Sequence, residues 1–165
     1  MVEKPVCYLC VARLDGIDRY FFWESGDDTR DRVVLDNDGL ILAFPSERIA
    51  RETGSVCGLA VSSQEATVYD LDAIETWCKS TAEVLECSWL LDAWNLFGDM
   101  PHGENLFAGA ARRATAAYDK LFRGCNLPSM TPPGQHYVPA WSASETAALK
   151  RLFVLGLAEF RARLR

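Results

Sequence analysis

The chain has 165 residues, 49% of them apolar, with five tryptophans along it, which fits a single globular domain spanning 1–165 and excludes a disordered chain. No apolar run approaches the roughly 20 residues that cross a bilayer, and the N-terminal residues lack a secretory pattern, so a cytoplasmic address and no membrane contact are expected. The net charge of −6 is lopsided, with 20 acids and 8 bases in residues 1–105 but 3 acids and 9 bases in 106–165, and a chain this acidic is a poor partner for nucleic acid.

Val6 to Leu14 is almost continuously apolar, which predicts a strand covered on both faces at the centre of a sheet. Ile17–Trp23, Arg32–Leu35 and Leu40–Phe44 read as three further strands, separated by Gly26-Asp27-Asp28 and by Asp36-Asn37-Asp38-Gly39. From Asp15 to Asp38 there are eight acids (Asp15, Asp18, Glu24, Asp27, Asp28, Asp31, Asp36, Asp38) against three arginines, most of them at turns. That concentration of one sign predicts a negative rim on the sheet and makes these eight the candidate partner-binding residues. In Tyr20-Phe21-Phe22-Trp23 alternate side chains must face opposite sides, so they either pack under two covers or supply outward anchors for an interface.

Ser46 suits the N-cap of a helix over Glu47–Thr53 stopped by Gly54. Val56–Val61 is left between strand and loop, and Ala66–Tyr69 reads as a short strand. Asp72 and Glu75 open a short helix carrying Ile74, Trp77 and Cys78 on one face. Ser80-Thr81-Ala82-Glu83 has the form of a capping box for a buried helix reaching Phe97 and closed by Gly98. Phe107 to Phe122 keeps helical spacing up to Gly124. The Pro-rich stretch Cys125–Trp141 is expected to pack across the helices through Leu127, Met130, Tyr137, Val138 and Trp141. Ser142 and Glu145 form another capping box, and Leu149, Leu152, Phe153, Gly156, Phe160 and Leu164 give the last helix its buried stripe. Strands over 1–70 followed by helices over 71–165 predict an α+β fold, an antiparallel sheet packed against a helix-rich C-terminal part.

Chemistry-bearing patterns are sparse. Cys7-x-x-Cys10 lies in a predicted strand, where residues three apart face opposite sides and cannot share an ion, so no metal and no cofactor are expected. There is no phosphate loop, nucleophile elbow or H-E-x-x-H. His102 and His136 fall in predicted loops with no nucleophile in a recognised arrangement, and adjacent carboxylates such as Asp27-Asp28 or Asp70 and Asp72 read as turn formers and caps. The chain is therefore expected not to be an enzyme. A small hydrolase using His102 or His136 is the weakest alternative, and a binding domain with Cys125–Trp141 lying over a pocket stands before it.

Specific stretches resemble bacterial immunity proteins of polymorphic-toxin and contact-dependent growth inhibition systems. They are the early Asp-Gly turn leading into Arg19-Tyr20-Phe21, the Asp38-Gly39 turn running into Leu42-Ala43-Phe44-Pro45-Ser46-Glu47, Val68-Tyr69-Asp70-Leu71-Asp72, and Tyr118-Asp119-Lys120-Leu121-Phe122 followed by Asn126-Leu127-Pro128. The resemblance implies a protein that binds the C-terminal toxin domain of a delivered effector, often a basic nuclease, and blocks it. It carries no shared binding motif, so the contact residues rest on charge alone.

Overall fold

The computed structural model describes residues 4–27, 29–82, 86–100 and 106–164. Strands gather in the first part of the chain and helices in the second, so the fold is α+β. The chain divides into two compact units: one from Met1–Asp72, Asp99–Pro101 and Phe160–Arg165, the other from Ala73–Gly98 and His102–Glu159. No helix among the described residues is long and apolar enough to cross a membrane.

The first unit is a five-stranded sheet. Strand β1 (Val6–Leu14) lies inside it, paired antiparallel with β2 (Ile17–Gly26) through nine residues from Val6↔Ser25 to Leu14↔Ile17. The two are joined by the two-residue turn Asp15-Gly16, whose φ of 56° and 70° give the left-handed pair that matches strand twist. Strand β3 (Thr29–Val33) extends the antiparallel ladder beyond β2. On the other side of β1, however, β4 (Ala60–Val61) and β5 (Thr67–Asp70) run parallel to it, one beside each half. The sheet is thus mixed and not antiparallel throughout. Helix α1 (Glu47–Val56) accounts for the change, because a crossover returns the chain in the direction it left. Leu40–Phe44 is not a strand: it meets β2 at the isolated bridge Tyr20↔Phe44, and its other bridge, Leu35↔Ile41, is to a residue beyond the end of β3.

Alternation along β1 and β2 sends apolar side chains to both faces. Cys7, Leu9 and Phe22 meet Phe44 and Ala50 in one cluster under α1. Helix α1 starts as expected, with Ser46 accepting from the Ile49 N–H, but it runs past Gly54. A Cβ there would lie 2.8 Å from Phe22 Cζ and 2.9 Å from Val61 Cγ2, so this glycine is a point of close approach and not a stop. On the opposite face Phe21 meets the rings of Tyr69 and Phe160 at 6.2 and 5.9 Å. Phe21 and Phe22 are both 0% exposed, so the aromatic run serves two cores and supplies no outward anchor from its centre.

In the second unit, α2 (Leu71–Lys79) ends at Ser80, whose hydroxyl donates to Trp77 O. The expected box partner Glu83 lies outside the described residues, and α3 (Cys87–Gly98) starts seven residues after Ser80. The predicted helix over Phe107–Phe122 is two: α4 (Leu106–Arg113) and α5 (Thr115–Gly124), parted at Ala114, whose φ of −108° and ψ of 22° leave the helical region. Helix α6 (Ala143–Arg163) has its box formed in both directions, Ser142 N–H to Glu145 Oε2 at 2.7 Å and Glu145 N–H to Ser142 Oγ at 3.2 Å. Trp94 and Phe153, with Trp77, Phe97, Phe107 and Tyr118, form an aromatic core whose rings meet edge to face at 5.4–6.3 Å.

Candidate functional site

The acids of the N-terminal part do not form one rim. Strand β2 has ten residues, so at about 3.3 Å per residue its two ends lie about 30 Å apart. Asp15 and Asp18 sit at one end, Glu24, Asp27 and Asp31 at the other, and Asp28 lies outside the described residues.

At the first end the carboxylates already have partners in the chain. Asp15 is held by a fork from Arg161 at 2.9 and 3.1 Å, and Asp18 by Arg13 at 2.9 and 3.3 Å. Asp72, the first-turn acid of α2, accepts the Asp15 and Gly16 N–H groups at 2.7 and 2.9 Å and so fixes the hairpin turn. Asp36 is a turn former: its Oδ1 accepts the N–H groups of Asp38 and Leu40 at 2.8 and 3.0 Å, leaving Asp38 exposed at the tip. Arg163 donates to Gly39 O at 3.2 Å, so two arginines of one helix end hold both turns.

The other end differs. Glu24 is paired with Arg32 across the β2–β3 ladder. Asp27 is exposed and Asp31 half-buried, and neither makes an ion pair among the described residues. A further carboxylate joins them: Asp99 accepts the Trp23 indole N–H at 3.0 Å, and its carbonyl accepts the Val33 N–H at 2.9 Å. Burial pushes the Asp99 carboxyl above its ordinary range, the Trp23 bond opposes that, the negative charge of Asp31 adds to it, and the positive charge of Arg30 opposes it in turn. Sequence reasoning missed Asp99 because it lies 76 residues from Trp23 in a loop whose local sequence says nothing of the hairpin.

Cys7 and Cys10 are both 1% exposed and belong to opposite faces of β1, and burial drives the Cys10 thiol up to about 12, which leaves it protonated and unreactive. His102 lies outside the described residues. His136 is exposed and borders an open cleft of about 550 Å³ in the second unit, together with Glu86, Cys87, Gly124, Tyr137 and Trp141. The expectation that Cys125–Trp141 packs across the helices is overturned for four of its five apolar side chains: Met130 is 64% and Val138 74% exposed, and Leu127 and Tyr137 also face solvent, whereas Trp141 is half-buried beneath Lys120 of α5.

No protein-family model matches the chain, and neither does any curated protein. Among solved structures, the crystal structure of the SatS C-terminal domain in complex with bromine is similar, with a TM-score of 0.53 and 18% sequence identity over 96% of this chain and 92% of that one. At that identity the likeness shows the fold alone.

Proposed function

We propose that this chain is a cytoplasmic immunity protein that binds and neutralises the toxin domain of a delivered effector by contact, with no catalysis of its own. The observation that carries the reading is the acidity of the β2–β3 end, where Asp27 and Asp31 lack ion-pair partners among the described residues and Asp99 brings another carboxylate close to Asp31. A nuclease domain is basic where it grips phosphate. An acidic face steers toward such a surface, raises the association rate and occupies it in place of substrate.

The internal pairing of Asp15, Asp18, Glu24 and Asp36 supports Asp27 and Asp31 as the acids that meet the partner. Reversing the paired acids would break the fold's own contacts, whereas Asp27 and Asp31 are the described acids to reverse, with Asp38 as a separate exposed position. The test is to find whether a large secreted protein with a variable C-terminal domain is encoded immediately upstream of this gene, and to co-express that C-terminal domain with the chain. The native chain should restore growth, and the double variant Asp27→Lys, Asp31→Lys should fold normally yet give no protection. Retained binding by the double variant with unchanged salt dependence would sink the acidic-face reading, and turnover of a small molecule by the purified chain would sink the non-catalytic one.

A further inference from the structure

The connection between α5 and α6 carries an independent signal. Residues Asn126 to Ser142 contain no Asp, Glu, Lys or Arg. The stretch is nevertheless fixed: Asn126, at a left-handed φ of 49°, donates through Nδ2 to Gly124 O and Tyr137 O at 2.9 Å and accepts the Tyr137 N–H at 2.7 Å. Within the loop so closed, the N–H groups of Met130 and Thr131 donate to Leu127 O and that of Gln135 to Pro132 O, while Pro128, Pro132 and Pro133 restrict the backbone further. A loop held this firmly would be expected to bury its apolar side chains. Instead Leu127, Met130, Tyr137 and Val138 point to solvent, already ordered, which is what lowers the entropic cost of binding something apolar.

Two of them, Tyr137 and Val138, border the cleft of about 550 Å³, together with His136, Pro139, Trp141, Cys87 and Glu86. Its wall is tight, since a Cβ on Gly124 would come within 2.5 Å of Cys87 Sγ and 3.1 Å of Pro139 Cγ. Pro139 keeps Val138 out of the helical region, and the backbone groups of Val138 and Ala140 make no hydrogen bond among the described residues. Charge narrows the occupant. Lys120 is engaged by Glu145 at 2.8 Å and lies over the Trp141 ring, whereas Arg123 is exposed against Tyr137 with no ion pair among the described residues. Glu86 in the cleft lining disfavours a segment that is acidic throughout.

We propose that the Asn126–Trp141 loop and its cleft form a docking site for an extended protein segment that places a large apolar side chain in the cleft and one carboxylate on Arg123. The peptide backbone would pair with Val138 and Ala140, the mode in which an extended segment gains affinity from main-chain bonds and specificity from a pocket. The site uses none of the acids of the first unit, so its failure leaves the acidic-face reading standing, and the converse holds as well.

The test is selection of random dodecapeptides displayed on phage against the immobilised full chain, followed by fluorescence titration of the selected peptide made synthetically. The expected consensus holds an aromatic or large aliphatic residue and one acid. Met130→Asp and Val138→Asp should each weaken binding roughly tenfold or more, while Val56→Asp, at a still more exposed apolar position in the other unit, should leave it unchanged. Arg123→Glu should abolish binding of the acidic peptide and recover it for the peptide whose acid is replaced by lysine, a swap that an unfolded variant cannot reproduce. Absence of any loop-dependent binder, a consensus without an acid, or failure of the charge swap would overturn the proposal.

Discussion

At Asp99 burial of the carboxylate, helped by the charge of Asp31, outweighs the Trp23 indole N–H bond and the Arg30 charge that favour the ionised form, and the result is an acid whose folded form holds its proton more tightly than the unfolded chain does. A raised folded value means that this group subtracts stability at neutral pH, and that the loss fades as the pH falls through the raised value. Asp99→Asn keeps an acceptor for Trp23 and removes the charge. Its melting temperature at pH 7 should rise by roughly 2 °C, with the difference from the native chain vanishing in acid. Gly156 gives the opposite sign. A Cβ at this position of α6 would sit inside the contact distance of the Phe97 ring, which is itself locked against Phe107 and Phe153. Gly156→Ala should therefore cost about 1–3 kcal/mol in urea unfolding despite the better helix propensity of alanine. Neither effect is legible in sequence: Asp99 reads as a loop acid, and Gly156 as one more member of an apolar stripe.

Among the elements, α6 shows how local chemistry sets a boundary. Ser142 and Glu145 satisfy each other's backbone N–H groups, and Lys120 closes on Glu145 from α5. The Lys120 bond first, then the Ser142 groups, pull the Glu145 carboxyl down to about 2. Because the folded value lies below the ordinary 4.5, the contribution is complete above that pH and is lost as the pH falls from there toward 2. Ser142→Ala should lower stability by about 1 kcal/mol, and amide exchange at the start of α6 should accelerate selectively between pH 4.5 and 2 in the native chain but not in Glu145→Gln. The boxes and caps at Ser46 and Ser142 were readable because both partners lie within four residues. The division of α4 from α5 at Ala114 was not, since the alanine-rich spacing is equally good for one helix or two.

For the molecule as a whole, formal charge and effective charge part company. The eight acids from Asp15 to Asp38 count equally in the sequence, yet Arg161 reaches Asp15 across 146 positions and Arg13 and Arg32 engage Asp18 and Glu24, whereas Asp27 and Asp31 make no ion pair among the described residues. If contact is made there, the association rate with a basic toxin domain should fall steeply with added salt, and Asp27→Lys with Asp31→Lys should flatten that dependence far more than Asp38→Lys; stopped-flow titration across salt concentrations measures it. What the sequence determined by itself was whatever repeats or closes locally: the α+β class, the central place of β1, the Asp15-Gly16 turn and the starts of α1 and α6. Only the tertiary structure decided that β4 and β5 run parallel to β1, that Leu40–Phe44 stays irregular, that loop 126–141 turns most of its apolar side chains outward, and which carboxylates are taken up by arginines of the same chain. The reason is range: periodicity and caps are fixed by neighbours a few residues away, whereas strand partners, burial and ion pairs depend on which distant groups the folded chain brings within a few ångströms.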